Sequence, residues 1–176
     1  SLKDTISGTF SDMMSTNQLA LIWTGGDEDD EVPVKYNLEN TYDFKNAFNG
    51  QISSVCLTEY VGPADYHYDD KEKSVQVMGY SEGYCEINNY DIALGRDIEY
   101  QDSFDSRKVC IVSDNFVKYA LNNSPNPIGR KIEVETPDGD IVSAYIIGVY
   151  TMTEKQSSIT GQAKVPEQDK VTDIVI

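Results

Sequence analysis

The chain has 176 residues, 39% of them hydrophobic and 25% charged, enough apolar content to bury the core of one domain. Thirty Asp and Glu against fourteen Lys and Arg give a formal net charge of −16. That field repels nucleic acid and anionic lipid, so both are excluded as expected partners.

In chain order, Leu2, Ile6, Phe10, Met13 and Met14 fall on one face of a helix over residues 2–17. Residues 19–24 read as a buried strand. The five consecutive carboxylates at 27–31 repel one another and prefer solvent, which makes a loop. A second helix is expected over 40–49, capped by Asn40 and stopped at Asn49-Gly50. Strands are expected at 52–61 and 73–80, with Tyr66-His67-Tyr68-Asp69-Asp70-Lys71 at a hairpin end. Residues 82–89 have room for one helical turn. A short buried strand at 109–113 leads to Asp114, the expected cap of a helix over 115–122. Residues 131–136 and 141–150 form a hairpin around Pro137-Asp138-Gly139-Asp140, where Asp-Gly supplies the positive φ of the turn. Residues 153–170 carry few large hydrophobes and read as a long loop; 171–176 read as a last strand. No internal repeat is visible.

Little in this pattern carries chemistry. His67 is the single histidine, and its tyrosine- and aspartate-rich surroundings place it on the surface. A Ser–His–Asp or Cys–His mechanism therefore has no natural centre. No GxxxxGK[ST], GxGxxG or GxSxG pattern occurs, so no nucleotide-binding loop or nucleophile elbow is expected, and no cofactor. The acidic run at 27–31 lacks the alternate spacing and glycine of a calcium loop. A hydrolase would need two convergent carboxylates, and no spacing singles out a pair.

Three cysteines, Cys56, Cys85 and Cys110, cannot all pair within one chain, and none lies in a CxxC spacing, so no metal site is expected. Cys56 and Cys110 sit in apolar runs and read as small buried hydrophobes; a Cys56–Cys85 bridge stays open. Of twelve tyrosines, Tyr66, Tyr68, Tyr80, Tyr84, Tyr90 and Tyr100 concentrate in the middle third, suited either to sheet packing or to a contact surface. The longest apolar runs, 19–23 and 144–149, are far shorter than a membrane-spanning helix. The chain opens at Ser1 without an initiator methionine, which raises the expectation of a segment from a longer protein.

Four short motifs in series resemble a known family. They are Val77-Met78-Gly79-Tyr80-Ser81 with Tyr84-Cys85-Glu86-Ile87 and Leu94-Gly95-Arg96; Val109-Cys110-Ile111-Val112-Ser113; Asn126-Pro127-Ile128-Gly129-Arg130-Lys131-Ile132; and Ile147-Gly148-Val149. Their order and spacing are similar to those of the MacB-like periplasmic core domain, found in permeases of ABC exporters and related mechanotransmitting systems. Residues 1–24 are similar to the segment that follows the first membrane helix there. Gly79, Gly95, Arg96, Pro127, Gly129 and Gly148 are the motif positions. At Gly95 and Gly129 a Cβ is expected to be intolerable, and Pro127 is expected to fix the entry into the strand at Lys131.

The resemblance implies an α+β fold with two lobes in a single extracytoplasmic domain over 1–176. Residues 1–75 and 151–176 would form a membrane-proximal lobe, incomplete because the family pattern continues with another helix and strand. Residues 76–150 would form an inserted, mostly β lobe. It further implies a cell-membrane location with the domain on the extracellular or periplasmic side, and no enzymatic activity. A cytoplasmic ABC ATPase would act through the membrane part. The permease would be a homodimer, and a peptide or small molecule would be the substrate. ATP-driven movement would be relayed outward for export or mechanotransmission. The alternative is a surface-exposed binding or sensor domain for peptides or antimicrobials.

Overall fold

In the computed structural model, the described residues are 37–48, 50–68, 70–151 and 172–176. The expected helix at 2–17, strand at 19–24, acidic loop at 27–31 and loop at 153–170 lie outside them.

Helix α1 (Leu38–Ala47) begins with a reciprocal cap. The Asn40 N–H donates to Asn37 Oδ1 and the Asn37 N–H donates to Asn40 Oδ1, both at 2.9 Å. Asn37 is therefore the cap, and Asn40, expected in that role, is its partner one turn in. The strand expected at 52–61 starts later: β1 spans Thr58–Tyr68 and β2 spans Lys71–Tyr80. Residues before Thr58 are tied to the far end of β2 instead. Leu57 N–H donates to Ser81 Oγ at 2.9 Å, and Ser81 N–H donates to the Leu57 carbonyl at 3.0 Å. Strand β1 also runs on through Gly62-Pro63, past the expected end at 61. A bulge between Tyr60 and Gly62, with Gly62 at φ 134°, absorbs the extra residue. The hairpin closes at Tyr68 and Lys71, where expected.

Helix α2 (Tyr84–Asn88), strand β3 (Asp91–Gly95) and helix α3 (Tyr100–Phe104) follow; sequence periodicity does not reveal β3 or α3. Strand β4 (Val109–Ser113) leads into α4 (Asp114–Tyr119). The α4 cap is Ser113, whose Oγ accepts from Phe116 N–H at 3.0 Å, rather than Asp114. The helix ends sooner than expected because Asn122 and Asn123 both adopt left-handed conformations. Strands β5 (Lys131–Glu135) and β6 (Ile141–Thr151) form the expected hairpin, with Gly139 at φ 85°. Strand β7 (Thr172–Val175) lies where a last strand was expected.

The fold is α+β, and among the described residues seven strands share one sheet in the order β3-β6-β4-β7-β2-β1-β5. Strand β5 also pairs with β6, so β6-β4-β7-β2-β1-β5 closes into a ring, with β3 added on β6. The parallel pairs are β2–β7 and β4–β6; the others are antiparallel.

The continuous apolar run of β4 fits a strand covered on both faces. Its Cys110 and Val112 join Val75, Val77, Phe116, Val134, Ile146 and Ile174 in one buried cluster. Its Ile111 joins Tyr84, Cys85, Ile98, Tyr150 and Val175 in a second. Alternate side chains of β4 and β7 thus feed two cores on opposite faces. Each large side chain so buried contributes roughly 1.5–3 kcal/mol.

The expected lobe boundary between residues 75 and 76 falls within the unbroken strand β2. Strands β1 and β7, from one expected lobe, ladder with β2, β5 and β4. Residues 81–107 pack as a cap on the second core. Much of the expected membrane-proximal lobe lies outside the described residues, so the two-lobe division passes to the proposal below.

Candidate functional site

The motif residues meet mainly around one stretch of β6. Gly95 and Gly148 stand opposite each other in the β3–β6 ladder. A Cβ on Gly95 would overlap the Ile147 carbonyl, and one on Gly148 would overlap the Arg96 carbonyl. Two glycines facing each other let two backbones approach more closely than any side chain permits. Gly95 also has φ 73°. The Arg96 N–H completes the contact by donating to the Ile147 carbonyl at 3.1 Å.

The next strand joins at the same place. Arg130 N–H donates to the Pro127 carbonyl at 3.1 Å, closing a tight turn with Gly129 at φ 81° in its third position. Gly129 N–H then donates to the Ile146 carbonyl at 2.7 Å. Nothing lies near a Cβ built on Gly129. Its requirement is therefore the positive φ, not close packing. Gly79 stands apart on β2: a Cβ there would make ordinary contact with Glu59, and its φ is not positive.

Arg96 turns back onto α3. Its Nη1 and Nη2 donate to Asp102 Oδ2 and Oδ1 at 2.6 and 2.8 Å, a two-pronged pair. Arg107 Nη1 adds a third bond to Asp102 Oδ1 at 3.3 Å. The Asp102 side chain is only 2% exposed. The Arg96 hydrogen bonds hold its carboxyl below the usual carboxylate range despite burial. Asp97 binds α2, its Oδ2 accepting from Cys85 N–H and its Oδ1 from Ile98 N–H, both at 2.8 Å. Residues 81–107 are thus fastened by carboxylates that sequence reasoning did not single out. The available signal was an arginine on each side of Asp102, five and six residues away.

A second polar centre sits on the buried face of β7. Tyr84 Oη donates to Asp173 Oδ2 at 2.7 Å, and Tyr150 Oη donates to the Asp173 carbonyl at 3.1 Å. Tyr80, Tyr84, Tyr90 and Tyr150 pack edge-to-face and stacked, with centroids 4.7–5.6 Å apart. The middle-third tyrosines therefore divide: Tyr84 belongs to the core with Tyr80 and Tyr90 partly buried against it, while Tyr100 stacks on Tyr42 and Phe104, both exposed.

The thiols Cys56, Cys85 and Cys110 are free, so no Cys56–Cys85 bridge forms. Burial raises the pKa of all three, that of Cys110 to about 12, which keeps them protonated and unreactive. Cys110 is buried in β4; Cys56 precedes β1 rather than lying in a strand. His67 is surface-exposed on β1, its Nδ1 3.9 Å from Glu72 Oε2. Among the described residues no group of three His, Cys, Asp or Glu could hold a metal ion. No helix among them is long and apolar enough to cross a membrane.

The ring has a weak seam between β1 and β5. Strands β1 and β5 share two ladder positions, Asp65 opposite Glu135 and Tyr66 opposite Val134. Like charges directly opposite disfavour pairing. Beyond that point the strands part into a shallow groove of about 290 Å³, lined by Tyr66 to Tyr68 and Arg130 to Glu133. The Arg130 guanidinium lies 4.7 Å from the Tyr68 ring centre.

Comparison with curated proteins returns no match. Among solved structures, the periplasmic region of MacB from Actinobacillus actinomycetemcomitans is similar at 15% identity and a TM-score of 0.48, covering 76% of this chain and 52% of that one. The extracellular domain of the noncanonic ABC-type transporter YknZ from Gram-positive bacteria aligns at 14% identity and a TM-score of 0.49, over 77% of this chain and 60% of that one. A domain of a putative permease protein from Porphyromonas gingivalis aligns at 12% identity and a TM-score of 0.44, covering 74% and 54%. The chain thus spans about half to three-fifths of the length of these structures. The family model of the MacB-like periplasmic core domain matches residues 1–174, nearly the whole sequence, and the chain belongs to that family.

Proposed function

We propose that this chain is the extracytoplasmic domain of an ABC-transporter permease, held at the outer side of the cell membrane. It couples ATP-driven movement of the membrane part to substrate export or mechanotransmission. The observation that carries this reading is the family match over residues 1–174. In this reading the domain works by contact and displacement rather than by bond chemistry. The ATPase partner, the permease homodimer, a peptide or small-molecule substrate, and the division into a membrane-proximal and an inserted lobe are parts of the same proposal.

The test uses the full permease with its ATPase in proteoliposomes. Crosslinking the domain to its copy or to an outer partner should abolish transport or signalling while ATP hydrolysis continues at a measurable rate. Transport unaffected by removal of the domain would overturn the reading.

A second reading, a surface domain that binds peptides or antimicrobials, is favoured by the groove at the β1–β5 seam, where aromatic and cationic side chains adjoin. Calorimetric titration with cationic and anionic peptides separates it from the first.

A further inference from the structure

We propose that Asp173 is a proton-sensitive latch on β7: protonated, it fastens the strand between β2 and β4, and ionised, it loosens it. Strand β7 has only four residues, held by ladders on both sides and by reciprocal bonds between Ile176 and Met78 and Tyr80. Its side chain is partly buried, with the carboxylate against the Tyr84 hydroxyl of the tyrosine cluster. The groups facing it are Tyr84 from α2, Tyr80 from β2, Tyr150 from β6 and Tyr90 from the segment between α2 and β3; Cys85 lies in the same cluster. Burial pushes the ionisation of all five upward, so they remain neutral at working pH. Among the described residues no cation pairs with Asp173 and its one side-chain hydrogen bond comes from Tyr84, so the charged form is poorly compensated.

Desolvation therefore raises the Asp173 pKa, and the Tyr84 bond opposes that only in part. The sign follows from linkage. The docked strand binds a proton more tightly than the undocked one. Its extra hold is complete below the ordinary aspartate pKa and is lost as pH rises through the raised value.

The experiment is hydrogen exchange of the whole 176-residue chain, read as protection factors at Ile174, Val175 and Ile176 from pH 4 to 8. Protection should fall by about tenfold per pH unit within the titration window and then level off. Asp173→Asn should flatten the profile. A wild-type profile matching that of the variant, or protection that rises with pH, overturns the latch. Should the variant not fold, carboxyl ¹³C titration of the wild-type protein decides: a midpoint above that of ordinary aspartates supports the latch, and one at or below it overturns it.

Discussion

The strand ring and the cap at 81–107 are held by different forces. The ring is apolar: Val75, Val77, Cys110, Val112, Ile146 and Ile174 are all within 1% of full burial. The cap has short elements of five residues each, fixed by Asp97, Asp102, Arg96 and Arg107. The buried apolar network inside the ring tolerates pH and salt changes, whereas contacts anchored by carboxylates, in the cap and at Asp173 on the other face of β7, respond to protonation. The glycine pair Gly95–Gly148 is where the two regions are joined.

Breaking that junction should have the largest effect. Gly148→Ala forces a Cβ onto the Arg96 carbonyl, and a loss of more than ~3 kcal/mol is expected in urea unfolding. Gly79→Ala is the control; with ordinary space around it, it should stay within about 1 kcal/mol of wild type.

Asp102→Asn comes next. It leaves Arg96 and Arg107 without their shared carboxylate, and a loss of about 2 kcal/mol is expected at pH 7. Hydrogen exchange should place that loss in the cap. The folded-state pKa of Asp102 is depressed. Its contribution is present above the ordinary aspartate pKa and is lost as pH falls through the folded value. The gap between wild type and variant should therefore close in acid, the opposite direction to Asp173.

Ser113→Ala removes the α4 cap within the ring and should cost about 1 kcal/mol by thermal melting. The smallest effect is a gain: Glu135→Lys puts opposite charges across the β1–β5 seam at Asp65 and should add about 0.5 kcal/mol.

The ring was more legible in the sequence than the cap for the same reason that they differ physically. Alternation and apolar runs mark β2, β4, β5 and β6, and Asp138-Gly139 marks the β5–β6 hairpin. Strand β3 is exposed along its whole length, so it has no burial period to read, and α3 is too short to show a helical one. The caps were each misplaced by one to three residues, because Asn37 and Asn40, or Ser113 and Asp114, are chemically interchangeable on paper. Within the candidate site, Gly95, Arg96 and Gly148 were visible as motif positions. Asp102 was marked only by the arginines five and six residues away, and nothing local marked Asp173 among thirty acidic residues.

Strand β7 has a mechanical consequence. It is flanked by β2 running the same way and β4 running the opposite way. Tension applied along its axis would load the hydrogen bonds on both sides together, as in a double lap joint, rather than peel them one after another. A pull transmitted through this strand would therefore move the ring as a body before the joint gives way.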